Sequence, residues 1–267
     1  MSGAGLSIGC CAGAPELAAL EAAPGLDFVE LPVARALMGV SAAGFDELAS
    51  RLDRSPLDAR AVNVFLPAAL KVVGPDVRPD QLSEYAAAAL DRARRLGVEV
   101  LVFGSGASRR VPDGYSRERA LDQFEGAVRL VDEQARARGV TLAVEPLHSE
   151  ETNLLNSLAE AASFLRERHL DGVRLIADLW HMECEGEALD VLDGLGDLVA
   201  HAHVAAAGRL APGRAEDHVE GFLRRLRECG YSGACSIECR WSDLAAEVPA
   251  AAARVREAAA AAGWPAR

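Results

Sequence analysis

The chain has 267 residues, half of them apolar and a quarter charged, with a formal charge of −12 at neutral pH. That suits a globular protein with a core the size of one barrel and excludes a disordered chain. The acidic balance also excludes nucleic acid and anionic membranes as partners, because both are held by clustered Lys and Arg.

No apolar run reaches membrane-spanning length, and the opening MSGAGLSIGCCAGAPE lacks a basic stretch followed by a long apolar one. A cytoplasmic protein without a signal peptide is expected. Lys71 is the one lysine, which sets aside an aldolase working through a positioned Schiff-base lysine. The cysteines, Cys10, Cys11, Cys184, Cys229, Cys235 and Cys239, form no paired CxxC motif. They read as reduced, packed thiols.

Taken in order, short apolar runs alternate with amphipathic stretches. The runs predict strands at Leu6–Cys10, Asp27–Leu31, Ala61–Leu66, Val98–Phe103, Val140–Glu145, Val173–Asp178, Leu198–His203 and Ala234–Glu238. Between them the pattern predicts helices at Gln81–Leu96, Arg117–Arg138, Leu158–Arg168 and Val219–Cys229. Gly97, Gly139 and Gly230 stop three of these just before the next strand. The Ala-rich Pro249–Ala262 reads as a closing helix with its Pro in the first turn.

Strands with no wet face imply a parallel sheet covered by helices, and eight such units in this length predict a single α/β domain over 1–267, a (β/α)8 TIM barrel. An open doubly wound sheet is the alternative, but no GxGxxG opens the first helix, and Gly104-Ser105-Gly106 is too short a signal.

Strands five to eight end on Glu145, Asp178, His203 and Glu238, all at the mouth where barrel enzymes keep their chemistry. With a period of two, Thr141, Ala143 and Glu145 share one face, as do Ala234, Ser236 and Glu238. Small residues lie beneath each carboxylate and leave room. Three carboxylates and one imidazole form a hard, oxygen-rich ligand set for one divalent ion, Mn²⁺ first, with Mg²⁺ or Co²⁺ as alternatives. Polar residues are common at strand ends; the weight comes from four ligand types on consecutive strands.

The segments VEPLHSEETNLLNS, IADLWHMECEGE, HAHVAAAGRLAPGR and ECGYSGACSIECRW resemble those of the xylose-isomerase-like barrels, within them the sugar isomerase/epimerase branch with the ketose 3-epimerases. The resemblance runs from about Gly139 to Trp241 and implies that Glu145, Asp178, His203 and Glu238 hold the ion. It also implies that Glu145 and Glu238 are the acid/base pair and that Glu151, His181 and Arg209 bind a small sugar-like substrate. A homodimer is a further implication. Epimerisation needs a proton removed from one face and another returned to the opposite face, a task for two carboxylates around one ion. A lyase or dehydratase acting on a keto-cyclitol uses the same enediolate, and a non-catalytic sugar-binding protein is the reading from another class. The superfamily's DNA-repair endonucleases take histidines from early strands, whereas this chain has none before His148.

Two departures bear on the substrate. His148-Ser149 stands where Asn-Arg is frequent, and LAPGRAEDHVEG after Arg209 lacks the Gly-rich run and aromatic residue of a typical ketose 3-epimerase. Of the remaining polar residues, His201 reads as a core histidine one layer below His203, and His148 as a loop residue that either touches substrate or is solvated. His169 and His218 read as helix-end or surface residues. Glu30 is expected to meet substrate or a neighbouring loop, and Arg109 and Arg110 to be solvated. Trp180 and Trp241 flank the site, and Cys184, Cys235 and Cys239 are expected to pack near the mouth.

Overall fold

A computed structural model of the chain describes residues 5–266. Eight strands, β1 (Ser7–Cys11), β2 (Phe28–Pro32), β3 (Asp58–Asn63), β4 (Val100–Phe103), β5 (Thr141–Val144), β6 (Arg174–Asp178), β7 (Val199–Val204) and β8 (Ala234–Ile237), close into a barrel. Each pairs in parallel with the next, and β1 closes against β8 through Ser7 to Cys10. The predicted (β/α)8 barrel is therefore the fold.

Helices α1 (Leu17–Ala22), α2 (Ala42–Leu52), α3 (Pro79–Arg95), α4 (Gly106–Arg109), α5 (Arg117–Arg136), α6 (Leu158–Glu167), α7 (Leu179–Cys184), α8 (Val219–Glu228) and α9 (Leu244–Ala261) follow in order. The long helices and the outward strand residues share one continuous apolar layer, including Leu142, Val144, Cys235 and Ile237. Inside the barrel a second, small cluster of Val102, Ala143 and Ile176 fills the space below the mouth. Side-chain caps start several helices: Ser41, Ser116, Ser157, Asp178 and Asp243 each accept a hydrogen bond from a first-turn N–H, satisfying donors that the helix itself cannot. Among the described residues no helix is long and apolar enough to cross a membrane.

Three boundaries differ from the sequence pattern by three residues or more. β3 begins at Asp58, three residues before the apolar run, because Arg60 belongs to the strand and pairs with Glu99 at 2.7 Å. It also ends at Asn63: Val64 adopts φ 45°, and Phe65 then turns into the outer core, 5.3 Å from the Phe103 ring. α9 starts five residues before Pro249, so the proline lies inside the helix rather than in its first turn. The carbonyl it leaves without a helical donor belongs to exposed Ala245, where water is available. Glu145 and Glu238 each fall one residue beyond their strand.

Candidate active site

Four side chains converge at the carboxyl-terminal mouth. Glu145, Asp178, His203 and Glu238 each offer a ligand atom, all within 4.8 Å of one another. Nδ1 of His203 lies 3.1 Å from Glu145 Oε1, 3.2 Å from Glu238 Oε2 and 3.5 Å from Asp178 Oδ2. One ring nitrogen donates at most one hydrogen bond, so three anionic oxygens around it form a donor set suited to a cation.

The other side of the ring strengthens that fit. Nε2 of His203 is 3.1 Å from Oε1 of the fully buried Glu30. With Nε2–H donating to Glu30, the Nδ1 lone pair is left pointing into the cluster, which is the tautomer a metal ligand needs. Glu30 also meets His201 Nε2 at 2.8 Å and accepts from Ser236 Oγ at 2.6 Å. The set of three carboxylates and one imidazole thus fits a single divalent ion of the oxygen-preferring kind.

Asp178 divides its carboxylate between two tasks. Oδ1 accepts the His181 N–H at 3.1 Å and caps α7, while Oδ2 faces His203. Burial by itself would raise its carboxyl, but the neighbouring His181 and His203 rings and the Arg209 guanidinium outweigh burial and hold it below the usual range. Burial raises Glu145. For His203, burial works downward, yet Glu30 and Glu238 push the imidazole well above its ordinary value. Glu30 stays well below the carboxylate range because His203 and His201 overcome its burial.

Above the cluster, Arg209 donates to Glu151 Oε1 and to Glu238 Oε2, both at 3.0 Å. Gly208 and Arg209 both take left-handed conformations, φ 74° and 58°, and this turn brings the guanidinium back across the mouth. Glu238 also accepts from Asn63 Nδ2 at 3.1 Å. The His148 backbone N–H donates to His181 Nδ1 at 3.2 Å, which makes that nitrogen an acceptor. The His148 ring Nδ1, 2.8 Å from the same atom, must then carry the proton. His181 keeps its hydrogen on Nε2, a buried atom with no partner among the described residues, 3.8 Å from Asp178 Oδ2. All seven residues singled out for metal, proton transfer or substrate therefore come together in one site: Glu145, Glu151, Asp178, His181, His203, Arg209 and Glu238.

The family model described as "Xylose isomerase-like TIM barrel" matches residues 17–263, nearly the whole barrel. The chain belongs to that family. A 3-dehydro-D-guloside 4-epimerase of Escherichia coli is 31% identical over 141 residues, 51% of this chain and 53% of its own length. A D-psicose 3-epimerase of Agrobacterium fabrum is 27% identical over 132 residues, covering 48% of this chain and 46% of that protein. The chain thus spans about half the length of these curated relatives. The structure of a D-psicose 3-epimerase with D-tagatose from Clostridium cellulolyticum superposes with a TM-score of 0.82 at 20% identity, covering 95% of this chain and 99% of that one. That likeness is one of fold.

In this xylose isomerase-like barrel, several residues sit otherwise than their sequence context suggested. The Glu30 side chain is turned away from the loops: it is the buried acceptor between His201, His203 and Ser236. Its burial in the middle of β2, opposite two histidines, is a signal that only appears once β2 and β7 face each other across the barrel. Arg109 is not solvated: it is fully buried over the Phe124 ring and donates to the Glu145 carbonyl at 2.6 Å. Burial lowers its guanidinium to about 10. Arg110 is exposed, as expected. Cys184 is exposed rather than packed, on the solvent side of the short α7.

Proposed function

We propose that this barrel is a sugar epimerase that moves a proton at the carbon beside the ketone of a small keto-sugar, with one divalent ion, Mn²⁺ foremost, held by Glu145, Asp178, His203 and Glu238. The observation that carries the reading is the convergence of Glu145 and Glu238, three strands apart around the ring, on the same ring nitrogen of His203. Two carboxylates approaching one centre from different sides are what inversion of a carbon requires.

When bound, the cation would polarise the ketone and the neighbouring hydroxyl and so acidify the C–H between them. One carboxylate takes that proton, giving an enediolate, and the other delivers a proton to the opposite face; no atoms are gained or lost. Arg209 and the Nε2–H of His181 donate to substrate oxygens, and Glu151 orients Arg209 through their ion pair. Ala143 and Ser236 beneath the carboxylates keep the floor of the cavity small.

The test is deuterium wash-in. Protein loaded with Mn²⁺ is incubated in D₂O with ketoses and keto-glycosides, and NMR locates the label. Expected is exchange beside the ketone, lost on chelation and reduced about a hundredfold or more by Glu238→Gln. Metal-loaded protein that exchanges no C–H in this panel would sink the reading.

One observation favours elimination from the same enediolate as a second reading. His148 brings a second imidazole to His181, where the resemblance leads one to expect Asn. A leaving hydroxyl needs an acid, and this pair supplies one close to the site. An unsaturated product, with loss of water seen by mass spectrometry, would separate it from epimerisation.

A further inference from the structure

The mouth does not end above the carboxylates. A cavity of about 410 Å³ over the site is lined by Cys11, Asn63, Val64, Arg209 and Glu238, among others. Beside it, a trough of about 720 Å³ runs between the loop after β1, the π-helical turn Val33–Leu37 after β2, and the start of α9. The two share Cys11, Ala12, Gly13, Pro32 and Arg35, so they form one continuous cleft.

The chemistry changes along its length. Near the carboxylates the walls are polar: Asn63, Arg209 and Glu238. The trough is faced mainly by apolar and aromatic surface, Pro15, Val40, Trp241 and Leu244, with Glu16 and Arg35 the charged residues of its lining; such a surface favours an apolar or aromatic group over a second sugar ring. At the junction stands exposed Arg35, which has no acidic partner among the described residues. Val64, also in the mouth cavity, is 43% exposed with φ 45°. A β-branched residue in that conformation is strained, and here the strain holds an apolar side chain against the cleft. A free ketose fills only the polar end; the trough by itself, at about 720 Å³, already lies in the size range of ligand sites of roughly 300–1,000 Å³.

We infer that the substrate is a keto-glycoside carrying an apolar, aromatic aglycone. The sugar ring lies over the carboxylates, the aglycone lies in the trough against Trp241 and Leu244, and Arg35 donates to oxygens at the glycosidic junction. This rests on the epimerase reading for its chemistry and on the trough for its specificity.

The test compares 4-nitrophenyl and methyl 3-keto-β-D-glucopyranosides in deuterium wash-in with the Mn²⁺-loaded protein. Expected is a kcat/KM higher for the nitrophenyl glycoside by about tenfold or more, a preference that falls toward parity in Trp241→Ala. Leu244→Gln, which keeps the side chain's length, is the second variant and is expected to reduce the same ratio even if the loss of the indole unfolds the first. Equal rates for the two glycosides in the parent protein overturn the inference, as does a preference that both variants leave intact. If neither glycoside exchanges, calorimetric titration of both decides the trough alone: tighter binding of the nitrophenyl glycoside that Leu244→Gln removes keeps the aglycone site while the epimerase reading falls, and equal binding removes both.

Discussion

Gly104 follows β4 directly beneath the Glu145 carboxylate, and a Cβ at that position would overlap Glu145 Oε2. The atom it meets is the end of a flexible side chain, so the fold can absorb the methyl group by turning the carboxylate aside. Gly104→Ala should therefore leave the melting temperature nearly unchanged while weakening Mn²⁺ binding by about tenfold, read by calorimetric titration. Unaltered affinity would mean that Glu145 has room to spare. The four clustered residues were legible in the sequence because each ends an apolar run and all are of a type that could hold a metal. Glu30 and Arg109 were not. What decides their roles is a partner far along the chain: His201 for Glu30, 171 residues away, and the Glu145 carbonyl for Arg109, 36 residues away. A charged residue looks the same in sequence whether it faces water or a buried partner on a distant strand.

At the scale of an element, the end of β6 shows how one residue joins local structure to the site. Asp178 caps α7 with one oxygen and offers the other to the ligand cluster. Asn caps a helix about as well as Asp, so Asp178→Asn should change unfolding free energy by no more than about 1 kcal/mol. Its neutral amide removes one of three anionic ligands, and Mn²⁺ affinity should drop by about tenfold or more. Denaturant titration and metal titration of the same variant check both halves; a loss of stability without loss of affinity would assign Asp178 to the helix alone. The elements were readable to within a few residues where burial and periodicity agreed. They were misread where the two conflict: β3 carries Arg60, set over the Phe28 ring, which breaks the apolar run, and α9 tolerates Pro249 because the carbonyl it frees belongs to exposed Ala245.

For the whole molecule, the buried charge at the mouth ties stability to pH. Without a cation, protonated His203 balances Glu30, Glu238, Asp178 and Glu145, and its imidazole is held well above the ordinary value against the pull of burial. A histidine raised in the folded state contributes fully below its unfolded value, about 6.5, and loses that contribution as pH climbs through the raised one. The metal-free protein should accordingly melt at lower temperature as pH rises above about 6.5. On the proposed function Mn²⁺ would take the place of that proton, so its stabilisation should grow over the same interval. Thermal melts with and without chelator across this range check the sign; a metal effect that shrinks with rising pH would contradict the ligand set.

The barrel also separates two kinds of inheritance. The four residues around the charge cluster ride on β5 to β8, whose register is locked by neighbours on both sides. The far end of the cleft is built from the loops after β1 and β2 and the first turn of α9, segments that bear no ligand. Mutations there can widen, narrow or recharge the entrance while the reacting centre keeps its geometry. A lineage of such barrels can therefore change its diet without changing its chemistry, and descendants that share four side chains can come to live on quite different molecules.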